Sequence, residues 1–377
     1  MVAALVDRTE YAALRECTYL NQASLGLIGQ RAVEAMHAVL DQVARHGNLH
    51  MSDEQEAAFL TDLREHAAEL LTVDGRRVAI VSSASELLSQ APWLLAPPAG
   101  SKVIAVATDF PAITRPWLRL AQHGGCVVDF VADRADSDLT TDVINRIDTD
   151  TSVVAIGWVQ YATGTVIDVP RLRAATDQAG VRLVLDVTQG AGALPIDASA
   201  WNADVLVSSG YKWLGGHGGV AIGVLADDLA SETPPLPGWF GAADPFGFDA
   251  THLSLAPDAR RFTQSTMSYI SVRGLTAAIG GLLRTGIGAV AQHAARLAEL
   301  LVGAAEPLGW RPYRPLDDPA ASPHILALTH PAGSAADVAN RLRRRGIVCS
   351  SRGDRLRVSL APYNDHADIA ALADALA

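Results

Sequence analysis

Short apolar runs alternate with longer amphipathic segments along the first two thirds of the chain. Seven runs rich in Val and Ile have the continuous apolar character of strands covered on both faces, at residues 78–81, 102–107, 126–131, 153–159, 182–187, 204–207 and 220–224. Segments with helical spacing of apolar positions lie before and between them, at residues 54–71, 85–95, 115–123, 141–147 and 170–179. This alternation predicts an α/β fold with a mainly parallel seven-stranded sheet.

A second, smaller unit is predicted at the C-terminal end. Residues 226–259 are rich in Pro, Gly and aromatic residues and form a long connection, a kind of segment that is often functional. Two helical patterns follow it, at residues 269–284 and 290–305. The last part predicts strand, helix, strand, strand and helix in turn, at residues 325–329, 334–345, 347–351, 355–360 and 365–376. We therefore expect a small α+β domain behind the large α/β domain.

The balance of charge excludes several classes of partner. The formal net charge is −11, and because phosphate backbones need a basic surface, we expect no nucleic-acid partner. Arginines at residues 341–345 are the local exception, and they suit the end of a helix that stops before Gly346. No apolar run of membrane-spanning length and no secretory signal is visible, so we expect no membrane partner.

The cysteines and histidines give no pattern of metal ligands. Cys17, Cys126 and Cys349 are odd in number and far apart, which argues against a disulfide framework and against a paired zinc spacing. The histidines are scattered along the chain. We therefore expect no metal site and a reducing, cytoplasmic location.

Lysine is almost absent from the basic residues. Of the 30 lysines and arginines, only Lys102 and Lys212 are lysine, which we attribute mainly to a GC-rich coding bias. Lys102 opens a predicted strand, and a solvated strand edge explains it. Lys212 follows a buried strand between Tyr211 and Trp213. Apolar surroundings there would lower the pKa of its amine, as a Schiff-base lysine requires.

An acidic residue lies at the end of the preceding strand. Asp186 follows the apolar run that begins at residue 182, and ligands of open α/β sheets bind at the carboxyl ends of strands. An aspartate in this position can also cap a helix, but the glycines and Pro195 that follow do not suit a long one. An aspartate followed, one strand later, by a lysine suits pyridoxal phosphate. The carboxylate would keep the pyridine nitrogen protonated, and the lysine would form the Schiff base.

Motifs in a fixed order resemble the aminotransferase class V family of fold-type I pyridoxal-phosphate enzymes. That family includes cysteine desulfurases, kynureninase-like hydrolases and isopenicillin-N-epimerase-like proteins. The matching segments cover most of the chain, at residues 19–26, 83–86, 109–117, 161–164, 186–189, 209–212, 261–266, 355–359 and 363–364. The resemblance implies an N-terminal segment (1–29) that joins the small domain, a large cofactor-binding domain (30–260), and connecting helices with the small domain (261–377).

The resemblance also implies a role for each matching residue. Lys212 and Asp186 would be catalytic and would contact the cofactor, pyridoxal 5'-phosphate. Asn21 and Arg357 would bind the substrate, with the Arg357 guanidinium paired to the α-carboxylate. The other cofactor-binding residues would be Ala84, Ser85, Phe110, Tyr161, Gln189, Ser209, Tyr211 and Thr266. Ser85 would also cap a helix whose first N–H groups face the phosphate. Thr266 would reach the phosphate of a partner subunit, so a homodimer with sites at the interface is expected.

Three departures from the family bear on the reaction. Phe110 stands where many members stack a histidine on the ring, and phenylalanine stacks without moving protons. Tyr211 replaces a histidine and keeps a hydrogen-bond donor for the phosphate. The loop that carries the persulfide cysteine of desulfurases has shrunk to residues 352–354. We interpret Cys349, inside a predicted strand, as a buried structural thiol.

We therefore expect an enzyme acting on a small-molecule amino-acid substrate: a cysteine-desulfurase-like carbon–sulfur lyase that works by β-elimination without a persulfide cysteine. A class V aminotransferase, an epimerase and a non-catalytic pyridoxal-phosphate-binding protein are the alternatives. The absence of G-x-G-x-x-G after the first strand disfavours a nucleotide-binding α/β protein. The aromatic segment 239–241 either covers a substrate pocket or packs the long connection.

Overall fold

The computed structural model describes residues 2–331 and 334–377. In chain order, the strands of this part are β1 (Thr18–Tyr19), β2 (Val78–Val81), β3 (Ser101–Val106), β4 (Cys126–Val131), β5 (Thr151–Gly157), β6 (Arg182–Asp186), β7 (Val205–Ser209), β8 (Ala221–Leu225), β9 (Arg311–Pro312), β10 (Ile325–Thr329), β11 (Ile347–Val348), β12 (Ser350–Arg352) and β13 (Arg355–Ser359). The α-helices are α1 (Gln30–His46), α2 (Asp53–Ala57), α3 (Thr61–Leu71), α4 (Ala84–Leu95), α5 (Pro111–Ala121), α6 (Leu139–Ile144), α7 (Val169–Ala179), α8 (Ala198–Trp201), α9 (Asp227–Ala230), α10 (Tyr269–Thr285), α11 (Ile287–Ala305), α12 (Ala335–Arg344) and α13 (His366–Leu376).

The large sheet has seven strands in the order β2-β8-β7-β6-β5-β3-β4. β8 runs antiparallel to its neighbours β2 and β7, and the pairs from β7 across to β4 are parallel. Val, Ile, Leu and Ala dominate these strands because both faces of the sheet are covered, and an apolar cluster fills each side. The predicted α/β fold with a mainly parallel seven-stranded sheet is confirmed.

Three predicted elements have other limits in the structure. The helix expected at 115–123 begins earlier, as α5, because Pro111 occupies the first turn, where its missing N–H breaks no helical bond. The single helix expected at 54–71 is wrong, since a 3₁₀ turn separates α2 from α3. The single strand expected at 347–351 is also wrong. β11 pairs with β1 and β12 pairs with β13, so the chain changes partners at Cys349.

A small antiparallel sheet lies at the C-terminal end, with the strand order β12-β13-β10-β9. Apolar faces of α11, α12 and α13 share a core with it, which includes Leu297, Leu342 and Leu372. Near the N-terminus, β1 joins this unit by pairing in parallel with β11. The domain limits expected at residues 29 and 260 stay a prediction.

The N-terminal segment continues from β1 to the backbone of Lys212. The side-chain Nε2 of Gln22 donates to the carbonyl oxygen of Lys212 at 2.9 Å. The backbone N–H of Gly26 donates to the carbonyl oxygen of Tyr211 at 2.9 Å. A Cβ at Gly26 would lie 2.1 Å from the Lys212 carbonyl oxygen, so only glycine permits this close approach. The segment therefore holds the turn that carries Lys212.

Lys102 lies at the start of β3, which has β4 on one side and β5 on the other. Its Nζ donates to a carboxylate oxygen of Asp148 at 2.5 Å and to the carbonyl oxygen of Arg146 at 2.7 Å. The interpretation of Lys102 as a solvated strand edge is wrong. The residue forms an ion pair at the amino end of an interior strand.

Helix length bears on the question of a membrane. Within residues 2–331 and 334–377, no single helix has both the length and the apolar character needed to cross a bilayer. One pair of helices, Tyr269–Thr285 and Ile287–Leu308, meets that test when taken together, and it is bent by 75°.

Candidate active site

Polar side chains meet at the carboxyl ends of the parallel strands. Asp186 closes β6 and Ser209 closes β7, and residues that follow β2, β3 and β5 reach the same edge of the sheet. They surround about 540 Å³ of empty space, solvent at the mouth included, and the lining residues are Ser83, Ala84, Ser85, Asp109, Phe110, Ala112, Tyr161, Asp186, Thr188, Gln189, Ser209, Tyr211 and Lys212. Strand ends of one parallel sheet bring these distant segments together.

Nine of the twelve predicted site residues line this cavity: Ala84, Ser85, Phe110, Tyr161, Asp186, Gln189, Ser209, Tyr211 and Lys212. Arg357 lies beside it, since its Nη1 donates to the carbonyl oxygen of Tyr161 at 2.7 Å. Asn21 is linked to Arg357 through the hydroxyl of Ser24. Thr266 is exposed in the segment before α10, outside the cavity of its own chain. The roles of all twelve stay predictions.

Lys212 combines burial with the absence of an ionic partner. The residue is 6% exposed, and within the described residues its Nζ makes no hydrogen bond or salt bridge. The centroid of the Phe110 ring lies 5.1 Å from Nζ. Burial lowers the pKa of Lys212 to about 8; the charge of Asp186 opposes this change, and the charges of Arg357 and Arg352 add to it. The amine therefore has a larger neutral, nucleophilic fraction near neutral pH than an ordinary lysine.

Asp186 presents its carboxylate to the same cavity. Its Oδ1 accepts the backbone N–H of Thr188 at 2.9 Å, so the turn after β6 fixes the carboxylate. Thr188 Oγ1 in turn accepts the N–H of Ser209 at 3.0 Å, which ties this turn to the end of β7. Burial raises the pKa of Asp186, while the bonds from Thr188 and the charge of Lys212 act in the opposite direction. A protonated ring nitrogen could supply the partner that this carboxylate needs.

The amino end of α4 reaches the cavity through Ala84 and Ser85. The hydroxyl of Ser83 accepts the N–H of Glu86 at 3.1 Å and caps the helix. The prediction that Ser85 is the cap is wrong: the helix already begins at Ala84, so Ser85 lies in its first turn. The first N–H groups of a helix have no partner inside it, so this end of α4 could hold a phosphate.

Asp109 holds Phe110 in place, a role that the sequence analysis missed. The rings of Phe110 and Tyr161 meet edge to face with centroids 5.5 Å apart, and Phe110 is 40% exposed toward open space. Asp109 accepts the N–H groups of Phe110 at 2.7 Å and Gly157 at 2.5 Å, and also the side-chain amide of Gln160 at 3.2 Å. Burial raises its pKa to about 6, against these bonds. An acidic residue directly before the predicted stacking residue was the available signal.

Gln189 is held from two sides. Its Nε2 donates to the carbonyl oxygen of Ala23 at 3.0 Å, and its Oε1 accepts the indole N–H of Trp213 at 2.9 Å. His324 Nε2 lies 2.6 Å from the Gln189 carbonyl oxygen and Nδ1 lies 2.8 Å from the Ser322 hydroxyl. Because a carbonyl only accepts, Nε2 carries the proton. Burial lowers the pKa of His324 to about 4, so the ring is neutral. No spacing in the sequence marked His324 for this position.

Two arginines meet at the hydroxyl of Ser24. Nη2 of Arg357 donates to Ser24 Oγ at 2.5 Å and Nη2 of Arg352 donates to it at 3.0 Å. The same hydroxyl donates to Oδ1 of Asn21 at 2.8 Å. Arg357 has no measurable exposure, and burial together with the charge of Arg352 lowers its pKa. Ser24 and Arg352 were not predicted as site residues, although both lie within or beside matching motifs.

The cavity lining contains no thiol. Cys349 is 1% exposed, and burial raises its pKa to about 12, so the prediction that this thiol is buried is confirmed, while its structural role stays a prediction. β12 and β13 are joined by the two residues Gly353 and Asp354, and Gly353 has a φ of +59° that suits this tight turn. In residues 2–331 and 334–377, no group of three or more His, Cys, Asp or Glu side chains could hold a metal ion.

The aromatic residues of the long connection pack on one another. The rings of Trp239 and Phe240 lie 5.2 Å apart, and Phe246 lies within 6.4 Å of both. None of the three lines the cavity described above. Segment 239–241 does not line the cavity of its own chain, and Trp239 lines a separate pocket within the connection; the role of the segment stays a prediction.

The residues of the cavity fit pyridoxal phosphate. Lys212 offers an amine without an ionic partner, and Asp186 offers a half-buried carboxylate for the ring nitrogen. The amino end of α4 could hold the phosphate, and the open face of Phe110 could lie against the ring. Each feature of the cofactor thus has a group of matching chemistry.

Comparison with known proteins agrees with this chemistry. The family model described as aminotransferase class-V matches residues 18–372. A probable cysteine desulfurase of Aeropyrum pernix is 28% identical over 358 residues, which are 90% of this chain and 86% of the relative. A kynureninase of Deinococcus radiodurans is 29% identical over 376 residues, 96% of this chain and 90% of the relative.

A solved structure has the same fold. It is described as the complex of the cystine C–S lyase C-DES with its reaction product cysteine persulfide, and it matches with a TM-score of 0.88 at 22% identity over 97% of this chain and 98% of that one. At that identity the match establishes the fold alone, which is the fold-type I architecture expected from the motifs. The match of the family model from residue 18 to residue 372 establishes more: the chain belongs to the aminotransferase class-V family and is a pyridoxal-phosphate-dependent enzyme.

Proposed function

We propose that the protein is a carbon–sulfur lyase that removes a sulfur substituent from the β-carbon of an amino acid without using a cysteine of its own. The observation that carries the proposal is the composition of the cavity. Lys212 and Asp186 share it, while none of the three cysteines lines it. A sulfur atom leaving the substrate would have no thiol to accept it, so it would depart in a released product.

Lys212 and Asp186 would each control one proton of the reaction. When bound, pyridoxal phosphate supplies a ring that accepts the electrons left behind at the substrate α-carbon. Lys212 Nζ would hold the cofactor in the resting enzyme and would take the proton from the substrate α-carbon, a task supported by its pKa of about 8. Asp186 keeps the proton on the ring nitrogen.

Arg357 orients the substrate. Its guanidinium is buried, has no acidic partner within 4 Å among the described residues, and keeps Nε without a hydrogen bond there. A carboxylate accepts two parallel bonds from such a group. Asn21 fixes the position of Arg357 through Ser24. The α-carboxylate is therefore the group that we assign to Arg357, which turns the α-hydrogen toward Lys212.

The elimination balances without an added oxidant or reductant. The Cα–H and Cβ–S bonds break, a Cα–Cβ double bond forms, and the sulfur leaves as a thiol after taking up a proton. Water then hydrolyses the released 2-aminoacrylate to pyruvate and ammonia. Phe110 contributes a flat apolar surface and no proton, so we assign the proton transfer at the α-carbon to Lys212 alone.

Two names among the related proteins favour sulfur at the β-carbon. One relative is named a probable cysteine desulfurase, and the fold is shared with a cystine C–S lyase. The relative named kynureninase favours a second candidate, hydrolysis of a carbon–carbon bond next to a β-carbonyl group. Both candidates use the same proton transfer by Lys212 and differ in the bond that breaks.

Product analysis distinguishes these reactions. We would incubate the holoenzyme with S-substituted L-cysteines, L-cystine, L-cysteine, L-kynurenine and L-alanine. We expect pyruvate, ammonia and a thiol in equal amounts from the S-substituted cysteines, and none from Lys212→Ala. Anthranilate from L-kynurenine would favour the second candidate. A 2-oxo acid with pyridoxamine phosphate would identify an aminotransferase, racemised substrate an epimerase, and protein-bound sulfur with alanine a desulfurase.

A homodimer is part of the proposal. Thr266 is exposed and lies outside the cavity of its own chain, which leaves it free to bind the phosphate held by a second copy. Light scattering should give twice the mass of the chain. Thr266→Ala should weaken cofactor binding in that dimer. The assignment would be overturned if the protein were a monomer, or if the Thr266→Ala variant bound the cofactor as tightly as the wild type.

A further inference from the structure

Arg352 brings a second positive charge next to Arg357. It lies at the end of β12, just before the two-residue turn that joins β12 to β13. Its Nη2 shares the hydroxyl of Ser24 with Nη2 of Arg357, and its charge lowers the pKa of Lys212. The two guanidinium groups are therefore neighbours, and both act on the amine of Lys212.

The hydroxyl of Ser24 has no further bonding capacity. It donates its proton to Asn21 and accepts one N–H from each arginine, which uses its one donor and two acceptor sites. This arrangement orients both guanidinium groups but neutralises neither. It fixes two like charges side by side, which is unfavourable unless an anion binds there.

No acidic side chain compensates for these charges. Within residues 2–331 and 334–377, no carboxylate lies within 4 Å of a guanidinium nitrogen of Arg352 or Arg357. Asp354, two residues after Arg352, pairs instead with Arg355 at 3.3 Å. Nη1 of Arg352 donates to the carbonyl oxygen of Ser351 at 2.8 Å. Other N–H groups of its fork are left for a ligand.

We propose that Arg352 binds a second acidic group, carried on the side chain of the substrate, so that the enzyme prefers amino acids with an anionic side chain to their neutral isosteres. The proposal rests on the proposed function in one respect: it assigns the α-carboxylate to Arg357. Each guanidinium group can form two parallel hydrogen bonds to a carboxylate, so two anions complement the two arginines better than one anion does. Carboxylate, sulfinate and the distal carboxylate of a disulfide amino acid share the required chemistry.

Binding to the holoenzyme tests this without requiring turnover. The probes are matched pairs, L-aspartate with L-asparagine and L-glutamate with L-glutamine, together with L-cysteine sulfinate and S-methyl-L-cysteine. Dissociation constants come from the change in cofactor absorption on titration. We expect the acidic member of at least one pair to bind about tenfold more tightly or better. In Arg352→Gln this preference should disappear while the affinity for the neutral member changes little.

Two further variants control for charge and folding. Arg345→Gln removes a positive charge from the exposed end of α12 and should keep the preference. Arg352→Lys keeps the positive charge but loses the planar guanidinium group, and it should keep part of the preference for the acidic member. Equal binding of both members of every pair by the wild type would overturn the proposal. It would also be overturned if Arg352→Gln kept the preference, or weakened both members equally, because Arg352 would then serve the α-carboxylate.

The lyase assignment and this proposal can fail separately. If the product assay finds no elimination but the acidic preference depends on Arg352, the reaction is wrong and the binding site stands. If elimination occurs equally with neutral and acidic side chains in both wild type and Arg352→Gln, the reaction stands and the role of Arg352 is wrong.

Discussion

The two lysines of this chain belong to the same large sheet but lie at opposite ends of its parallel strands: Lys102 at the start of β3 and Lys212 after the end of β7. At the amino end, Lys102 Nζ pairs with Asp148 and with a carbonyl oxygen. At the carboxyl end, Lys212 is buried against Phe110 and has no ionic partner among the described residues. Lys102 is bound to a carboxylate, whereas the desolvated amine of Lys212 has no close partner and gives up its proton more readily than an ordinary lysine. The difference teaches that the environment, and not the residue type, makes a lysine a nucleophile.

Replacing each lysine by arginine gives the largest expected contrast. Lys212→Arg removes the only primary amine of the cavity lining, so turnover should fall by about three orders of magnitude or more, and the visible band of the bound cofactor should disappear. Lys102→Arg keeps a cation for Asp148, so activity and the band should persist, with a change in unfolding free energy of about 1 kcal/mol or less. Absorption spectra, turnover and thermal unfolding of both variants check this. A coloured, active Lys212→Arg protein would contradict the comparison.

Removing the carboxylate near each lysine should give the same contrast in turnover, with a large loss at Asp186 and none at Asp148. Asp186→Asn removes the group that we assign to the ring nitrogen, so turnover should fall on the order of a hundredfold while cofactor is still bound. Asp148→Asn removes the partner of Lys102 and should leave turnover unchanged. Steady-state kinetics of the two variants, with cofactor content measured in each, make the test. Equal losses in both variants would mean that Asp186 acts only on stability.

The pH dependence of cofactor uptake follows from the pKa of Lys212. Its value of about 8 in the folded chain lies below the ordinary lysine value. Because the neutral amine reacts, the uptake rate of the apoenzyme should rise tenfold per pH unit and level off above pH 8. The charge of Asp186 raises this pKa and that of Arg352 lowers it. Asp186→Asn should therefore shift the plateau to lower pH and Arg352→Gln to higher pH. A rate that still rises toward pH 10, as for an exposed lysine, would contradict the assignment.

The large sheet could be predicted from the sequence because both of its faces are covered. Strands of that kind are continuous apolar runs, visible without any knowledge of their partners. Lys212 and Asp186 could be found for a related reason: each follows such a run, and strand ends of a parallel sheet meet at one edge. Elements defined by long-range pairing were predicted less well. The segment 347–351 changes partners at Cys349, and apolar pattern alone does not report which strand lies beside it.

Contacts between distant segments explain what the sequence analysis missed at the site. Ser24 joins Arg352 and Arg357 from more than 300 residues away, and Asp109 fixes Phe110 through the N–H of Gly157. Neither relation has a local spacing that could mark it. The resemblance to a family supplied residues that are expected to contact the cofactor or the substrate, whereas the groups that position those residues became visible only in the folded chain.

Cys349 gives the smallest expected effect and extends the comparison to a third buried nucleophile. Burial disfavours the charged form of every group, so it yields the neutral, reactive amine of Lys212 but withholds the reactive thiolate from Cys349, whose pKa is raised to about 12. Cys349→Ala should therefore leave turnover unchanged and cost about 1 kcal/mol of unfolding free energy through lost packing. The native protein should also resist alkylation at this position while the unfolded chain reacts. Loss of turnover in a variant that folds and binds the cofactor normally would reinstate a persulfide on Cys349 and remove the distinction between this enzyme and a desulfurase.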